Sequence, residues 1–180
     1  GYADVNDEIA TRVKEAASNL EALGAEIVEV DPGFESPIEI FRRLWFTASQ
    51  EVYSQCDANQ KELLDPGLVD NARKAEHWAA IDLFRAYAER ADLTAKLEHF
   101  NQDYHLLMTP SVPIPPFEIN QEVPPGSNLH DWEEWAQFSY PFNLSNQPAA
   151  SIPCGFTRAG LPVGFQLAGG RFDDIRATIP

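Results

Sequence analysis

Apolar residues recur at helical spacing over residues 6–23, which predicts an amphipathic helix. They are Ile9, Val13, Ala16, Ala17, Leu20 and Leu23. Gly24 follows and suits a left-handed helix terminus. Residues 25–30 then alternate loosely between apolar and polar side chains, which predicts a strand near the edge of a sheet. The chain therefore opens with a helix followed by a strand.

Two more helices are expected in the middle of the chain. Ser36 and Glu39 have the spacing of a capping box, with Pro37 between them at the first helical position, so a helix should begin there. Residues 65–67 (Asp-Pro-Gly) indicate a break. Apolar residues at helical spacing then predict a long helix over residues 78–100.

The last third of the chain alternates short strands with turns. Residues 106–109 form a short apolar run that ends at a proline, which predicts a buried strand. Five prolines and one glycine make residues 111–128 a loop, and Asp131 could cap a short helix through Phe138. Further elements are predicted as follows: strands over 151–154 and 163–168, and a helix beginning at 171–174. These elements together favour an α/β fold.

Composition limits the kinds of partner. The 180 residues are 44% apolar, enough for one core of ordinary size, and carry a net charge of −15. Because the sequence has no run of Lys or Arg, we expect neither nucleic acid nor an anionic membrane as a partner. No apolar run is long enough to span a bilayer, and the polar, acidic start does not resemble a signal sequence. A cytoplasmic location is the expectation.

Several chemistries find no support in the sequence. Cys56 and Cys154 lack metal-ligand spacing, and Cys154 lies in an apolar run that predicts an inert thiol. The four histidines also lack ligand spacing, and neither a Gly-x-Ser-x-Gly nor a dinucleotide-binding motif occurs. Adjacent Glu133 and Glu134 would point about 100° apart on a helix, so they do not form a catalytic pair. We predict no metal and no cofactor.

Residues 140–156 (Tyr-Pro-Phe-Asn-Leu-Ser-Asn-Gln-Pro-Ala-Ala-Ser-Ile-Pro-Cys-Gly-Phe) and 160–169 (Gly-Leu-Pro-Val-Gly-Phe-Gln-Leu-Ala-Gly) carry a resemblance to a known family. They resemble the C-terminal end of amidase signature enzymes, as do residues 104–111 more weakly. The resemblance implies a mixed β-sheet flanked by helices. It also implies hydrolysis of carboxylic amides by a nucleophilic Ser, a second Ser in a cis peptide and a Lys.

The catalytic residues that the resemblance implies are absent from these 180 residues. There is no Ser-Ser pair and no Gly/Ser-rich run, and the lysines at 14, 61, 74 and 96 lie in charged, helix-like surroundings. We therefore assign no catalytic residue to this chain. Residues 1–180 are expected to be the C-terminal part of a single amidase-like domain, incomplete at both ends. Alone, the chain should be inactive and should self-associate unless an N-terminal part completes it.

The resemblance also implies part of a pocket for a small amide substrate. The corresponding positions that would wall its acyl side are Trp132, Trp135 and Phe138, with residues 109–113 opposite, Thr109 and Pro110 among them. Packing in the core is the alternative for these aromatic residues. Two other functions stay open: a non-catalytic chain that docks on a partner, and part of the A-type component of an aminoacyl-tRNA amidotransferase.

Overall fold

The structure, a computed structural model, describes residues 2–178, without the side chain of Thr178. It combines helices with a small sheet, which confirms the predicted α/β class. The helices are α1 (Asp7–Ala22), α2 (Ile38–Gln55), α3 (Ala58–Lys61), α4 (Pro66–Ala75), α5 (Ala80–Asp103), a 3-10 helix (Trp132–Glu134), α6 (Tyr140–Ser145) and α7 (Asp174–Thr178). The strands are β1 (Leu106–Pro110), β2 (Ala149–Phe156) and β3 (Pro162–Gly169).

The chain divides into two compact units. The first holds the described residues of Gly1–Ser36 and Leu93–Pro180, and the second holds Pro37–Asp92. In the first unit, three antiparallel strands form a sheet in the order β1-β3-β2. Strand β3 is therefore hydrogen-bonded on both sides, so its register fixes those of the other two.

One face of this sheet forms the core of the first unit. Phe165 and Leu167 of β3 pack with Ala16 of α1, and each of the three side chains is less than one-tenth exposed. Half-buried apolar side chains surround them: Val13, Leu20, Leu106, Met108, Ile152 and Cys154. The helical spacing of α1 and the period-two alternation of β3 thus bury one apolar surface between them.

In the second unit, helices α2 and α4 pack together. The rings of Phe46 and Trp78 stack with centroids 5.8 Å apart and an interplanar angle of 5°. Lys74 lies over the Phe46 ring at 5.4 Å from its centroid. Both terminal guanidinium nitrogens of Arg43 donate to the Glu89 carboxylate, a bidentate geometry, and the Arg43 side chain is 17% exposed.

Several predicted elements are confirmed. Asn6 caps α1 by accepting the backbone N–H of Glu8 at 3.0 Å, and Gly24 has a positive φ of 104° just beyond the helix. The strands predicted at 106–109, 151–154 and 163–168 are present; β1 and β3 are one and two residues longer than predicted, and β2 is twice as long. Residues 111–128 contain neither helix nor strand, as the prolines predict.

Other predictions were wrong. Residues 25–30 form no strand, since no neighbouring strand pairs with them among the described residues. Helix α2 begins where expected, yet no side-chain hydrogen bond caps it, so Ser36 and Glu39 form no capping box. The helix predicted through Phe138 is reduced to Trp132–Glu134. The C-terminal helix, by contrast, starts at Asp174, within the predicted range 171–174.

The Asp-Pro-Gly sequence at 65–67 begins helix α4 instead of breaking the chain. The Asp65 carboxylate accepts the backbone N–H groups of Gly67 at 2.8 Å and Leu68 at 3.2 Å. Pro66 occupies the first turn, where a missing N–H costs nothing. Helix α6 is not predicted by the sequence pattern either, because Pro141, which lies in its first turn, also suits a rigid turn.

Replacing Asp65 with alanine should destabilise the protein by about 1 kcal/mol, because two N–H groups at the start of α4 lose their acceptor. Urea unfolding followed by far-UV circular dichroism measures this change. Asp92→Ala is the matched control, since this exposed carboxylate lies inside α5. Equal unfolding midpoints for the two variants would contradict the capping role.

Candidate functional site

A row of polar side chains crosses the sheet on the face opposite α1. Thr109 of β1, Gln166 of β3 and Ser151 of β2 are neighbours in register. Gln166 is only 9% exposed, and its Nε2 donates to Thr109 Oγ1 at 3.3 Å and to the Phe138 backbone oxygen at 2.9 Å. One amide therefore connects the Thr-Pro end of β1 with residues 132–138, the aromatic segment before α6.

Two serine hydroxyls meet beside this row. Ser111 Oγ and Ser151 Oγ lie 2.7 Å apart, and the Ser111 backbone N–H donates to the Gly164 oxygen at 3.0 Å. A Cβ at Gly164 would lie 3.0 Å from Ser111 Oγ and 3.3 Å from Ser151 Oγ. The glycine therefore leaves room for the two hydroxyls to approach over β3.

No basic side chain is bonded to this hydroxyl pair in the described part of the chain. Within residues 2–178 the structure records no hydrogen bond from either serine side chain to a Lys, a His or a carboxylate. A hydroxyl needs such a base to attack a carbonyl carbon near neutral pH. Ser111 and Ser151 can orient a polar group through hydrogen bonds.

The aromatic segment contacts the proline-rich loop. Trp135 Nε1 donates to the Glu122 backbone oxygen at 2.8 Å, and the Trp135 ring meets the Phe117 ring edge-to-face at 5.8 Å. The Glu134 carboxylate accepts the His130 backbone N–H at 2.7 Å. Trp135 is therefore held against the loop by both its indole N–H and its ring.

An open pocket of about 470 Å³ lies between the loop and this segment. Its lining is mainly apolar and comes from Asp4, Pro113, Ile114, Pro115, Pro116, Phe117, Pro124, Ser127, Leu129, Glu134 and Gln137. Gln137 Nε2 donates to the Glu134 backbone oxygen at 2.8 Å, whereas its buried Oε1 has no hydrogen-bond partner among the described residues. The pocket volume is in the usual range for a small-molecule site.

The five residues predicted to wall a pocket fall into two groups. Thr109 and Phe138 both bond to Gln166, and Pro110 ends β1 next to Thr109. Trp135 packs edge-to-face on Phe117, which lines the separate open pocket. Trp132 is half-buried at the start of the 3-10 helix. Whether these residues contact a substrate stays a prediction.

Three residues that organise these surfaces were not predicted from the sequence: Gln166, Ser151 and Phe117. Ser111 lies within the predicted range 109–113. One signal was available for Gln166. It is a polar residue between Phe165 and Leu167 in a strand, so its side chain must lie on the face opposite the apolar core. The bonds that it makes depend on residues 28 and 57 positions away, which local patterns do not reveal.

Burial raises the pKa of two titratable groups, the Tyr2 hydroxyl and the Cys154 thiol. Burial raises the pKa of the Tyr2 hydroxyl, and the nearby Tyr140 raises it further, so this hydroxyl stays protonated and donates to the Gln137 backbone oxygen at 3.0 Å. Burial also raises the pKa of the Cys154 thiol; Arg12 opposes this shift and Glu15 adds to it. Among residues 2–178, no cluster of three His, Cys, Asp or Glu could hold a metal ion.

No helix within the described part of the chain has the length and apolarity needed to cross a bilayer.

Comparison with known proteins identifies the family. The Amidase family model matches residues 1–177. The chain therefore belongs to the amidase family, the amidase signature enzymes. This confirms the resemblance carried by residues 140–156 and 160–169.

Individual relatives agree with this assignment. An acylamidase of Rhodococcus erythropolis is 32% identical over 174 residues, which cover 93% of this chain and 36% of the acylamidase. The A-type component of a glutamyl-tRNA(Gln) amidotransferase from Synechococcus is 27% identical, with 96% of this chain and 40% of that component covered. The chain thus spans about two-fifths or less of the length of these relatives.

The fold is shared with solved amidases. The crystal structure of an amidase matches with a TM-score of 0.84 at 23% identity, over 97% of this chain and 40% of the amidase. This likeness confirms the amidase signature fold.

Replacing Gln166 with leucine should lower the free energy of unfolding by about 1–3 kcal/mol, because the Phe138 oxygen and Thr109 hydroxyl lose their donor. Chemical denaturation measures the change. Gln121→Leu, on the exposed loop, is the matched control. Equal stability of both variants would show that Gln166 does not hold the two segments together.

Iodoacetamide should alkylate Cys154 more slowly than Cys56 at pH 8. The raised pKa of Cys154 lowers its thiolate fraction at any pH below that pKa, and only the thiolate reacts. Mass spectrometry of the two labelled peptides over time gives both rates in one sample. A Cys154 rate equal to or above that of Cys56 would contradict an inert thiol.

Proposed function

We propose that this chain is the C-terminal part of an amide hydrolase. The reaction converts a carboxylic amide and water into an acid and ammonia or an amine. The observation that carries the proposal is the Amidase match over residues 1–177 in a chain that covers 36% of its acylamidase relative. The proposal assigns the Ser–cis-Ser–Lys residues to polypeptide outside these 180 residues, because this sequence has no Ser-Ser pair.

In the proposed reaction, the nucleophilic serine attacks the amide carbon and the second serine passes its proton toward the neutral lysine. The carbon–nitrogen bond then breaks, and the proton goes to the leaving nitrogen. Water releases the acid from the acyl-enzyme. Backbone N–H groups stabilise the oxyanion in such chemistry. All reacting side chains in this scheme are supplied from outside the chain.

The role proposed for this chain is to shape the acyl side of the pocket. Gln166 joins Thr109 to Phe138, and the edge-to-face contact between Trp135 and Phe117 braces the neighbouring loop. Aromatic and proline side chains lining a site favour an apolar or aryl acyl group over a charged one.

The amidotransferase alternative is less well supported. The match to the Synechococcus protein covers 96% of this chain. However, the net charge of −15 would repel tRNA phosphates, and the sequence contains no cluster of Lys and Arg to offset it. A small amide is therefore the preferred substrate class.

The native protein purified from its source should hydrolyse aryl-acyl amides and should lose this activity with a serine-labelling phosphonate. Its intact mass should exceed 20.1 kDa, and peptide mapping should find a Gly-rich peptide containing Ser-Ser. The 180-residue chain produced alone is the control and should show no turnover, since it lacks the nucleophile.

Two outcomes would overturn the proposal. Turnover by the pure 180-residue chain that the phosphonate abolishes would show that the chain has its own nucleophile. A native mass of 20.1 kDa without amidase activity, in a complex with another chain, would favour the docking function instead.

A further inference from the structure

We propose that the open pocket beside the proline-rich loop binds a small organic cation, an ammonium group carried on an aryl or alkyl body. This inference goes beyond the proposed function, because it concerns binding alone and is tested without turnover. The two are related in chemistry, since amide hydrolysis releases amines and alkylamines are ammonium ions at neutral pH, as the lysine side chain is.

Most of the pocket wall is apolar. Residues 113–117 supply three prolines, Ile114 and Phe117, and Pro124 and Leu129 complete the apolar part of the lining. The edge-to-face contact with Trp135 holds the Phe117 ring in place. A volume of about 470 Å³ with such a lining accommodates an aryl or alkyl group.

The charged side chains that line the pocket are both carboxylates. They belong to Asp4 and Glu134, and no Lys, Arg or His is among the lining residues in the described part of the chain. The Glu134 carboxylate is held in position because it accepts the His130 backbone N–H at 2.7 Å. Two negative groups on an apolar pocket favour a cation over a neutral or anionic ligand.

The N-terminal segment places Asp4 at the pocket. The Tyr2 hydroxyl donates to the Gln137 backbone oxygen at 3.0 Å. The Asn6 backbone N–H donates to the Pro113 oxygen at 2.9 Å. Asp4 is exposed between these two anchors, and the structure records no hydrogen bond or ion pair of its carboxylate among residues 2–178. This carboxylate is therefore available to accept a charge-assisted hydrogen bond from a ligand.

Gln137 adds an acceptor that lacks a donor. Its Nε2 donates to the Glu134 backbone oxygen at 2.8 Å, whereas its buried Oε1 has no hydrogen-bond partner among the described residues. An unpaired buried acceptor costs free energy. An ammonium group has three N–H donors and can satisfy such an oxygen, directly or through one water.

Ligand-observed NMR titration of the native protein tests this inference with benzylammonium and benzyl alcohol, which share a ring and differ in charge. A solvent-exposed ion pair contributes up to about fivefold in affinity, so two carboxylates should make benzylammonium bind about 5–20-fold more tightly. Because salt screens exposed charges, this preference should shrink at about 1 M NaCl.

A charge variant of the full-length protein tests the role of Asp4. Asp4→Asn keeps the side-chain shape and should weaken benzylammonium binding about two- to fivefold, with no change for benzyl alcohol. Glu118→Gln is the matched control, since it removes the same charge from an exposed residue of the same loop that does not line the pocket. It should leave the ratio of the two affinities unchanged.

A second pair of variants tests the location. Ser127 lines the pocket and is exposed, so Ser127→Trp should fill the space and weaken the binding of both ligands at least about fivefold. Asn128→Trp introduces the same side chain at the exposed neighbouring residue, which does not line the pocket, and should leave both affinities unchanged.

Three results would overturn the inference. The first is equal affinity for the two ligands. The second is no binding of either ligand to the native protein, which would indicate a pocket filled by polypeptide from outside these 180 residues. The third is binding that Asp4→Asn and Ser127→Trp leave unchanged. Ammonium binding by a native protein without amidase activity would support the site and count against the proposed function alone.

Discussion

The burial of strand β3 against helix α1 is the interaction on which the rest of the first unit depends. Phe165 and Leu167 face Ala16 of the helix, and both flanking strands take their register from β3. Because strand side chains alternate, the same register that buries these two residues places Gln166 on the opposite face. The apolar core and the polar row are thus two consequences of one register.

Through the polar row, the register of β3 also fixes the positions of segments that are distant in the sequence. Gln166 is nearly buried and donates to groups on two other segments, so Thr109 and Phe138 stay where the central strand holds them. A one-residue slip of β3 would reverse its faces and remove both contacts at once. The candidate pocket wall therefore depends on the core, although it lies on the other side of the sheet.

Local patterns predict the elements whose stability is local. Helix α1 carries its own cap at Asn6 and its own apolar stripe, and the strands around Leu107 and Leu167 carry compact apolar runs. Helix α6 is not predicted because Pro141 is equally typical of a turn. A proline in the first turn of a helix is nevertheless well tolerated. Residues 25–30 carry a strand pattern that has no partner among the described residues.

The candidate site could be predicted only in part, for a similar reason. Family resemblance named Thr109 and Phe138, but not the amide that joins them, because Gln166 reaches them across 57 and 28 residues of sequence. The polar row consists of donors and acceptors, without a base beside its hydroxyl pair among the described residues. The separate open pocket is lined mainly by apolar side chains, among them Phe117. Hydrogen-bonding groups like those of the polar row can orient a polar ligand, and their positions follow from the register of β3.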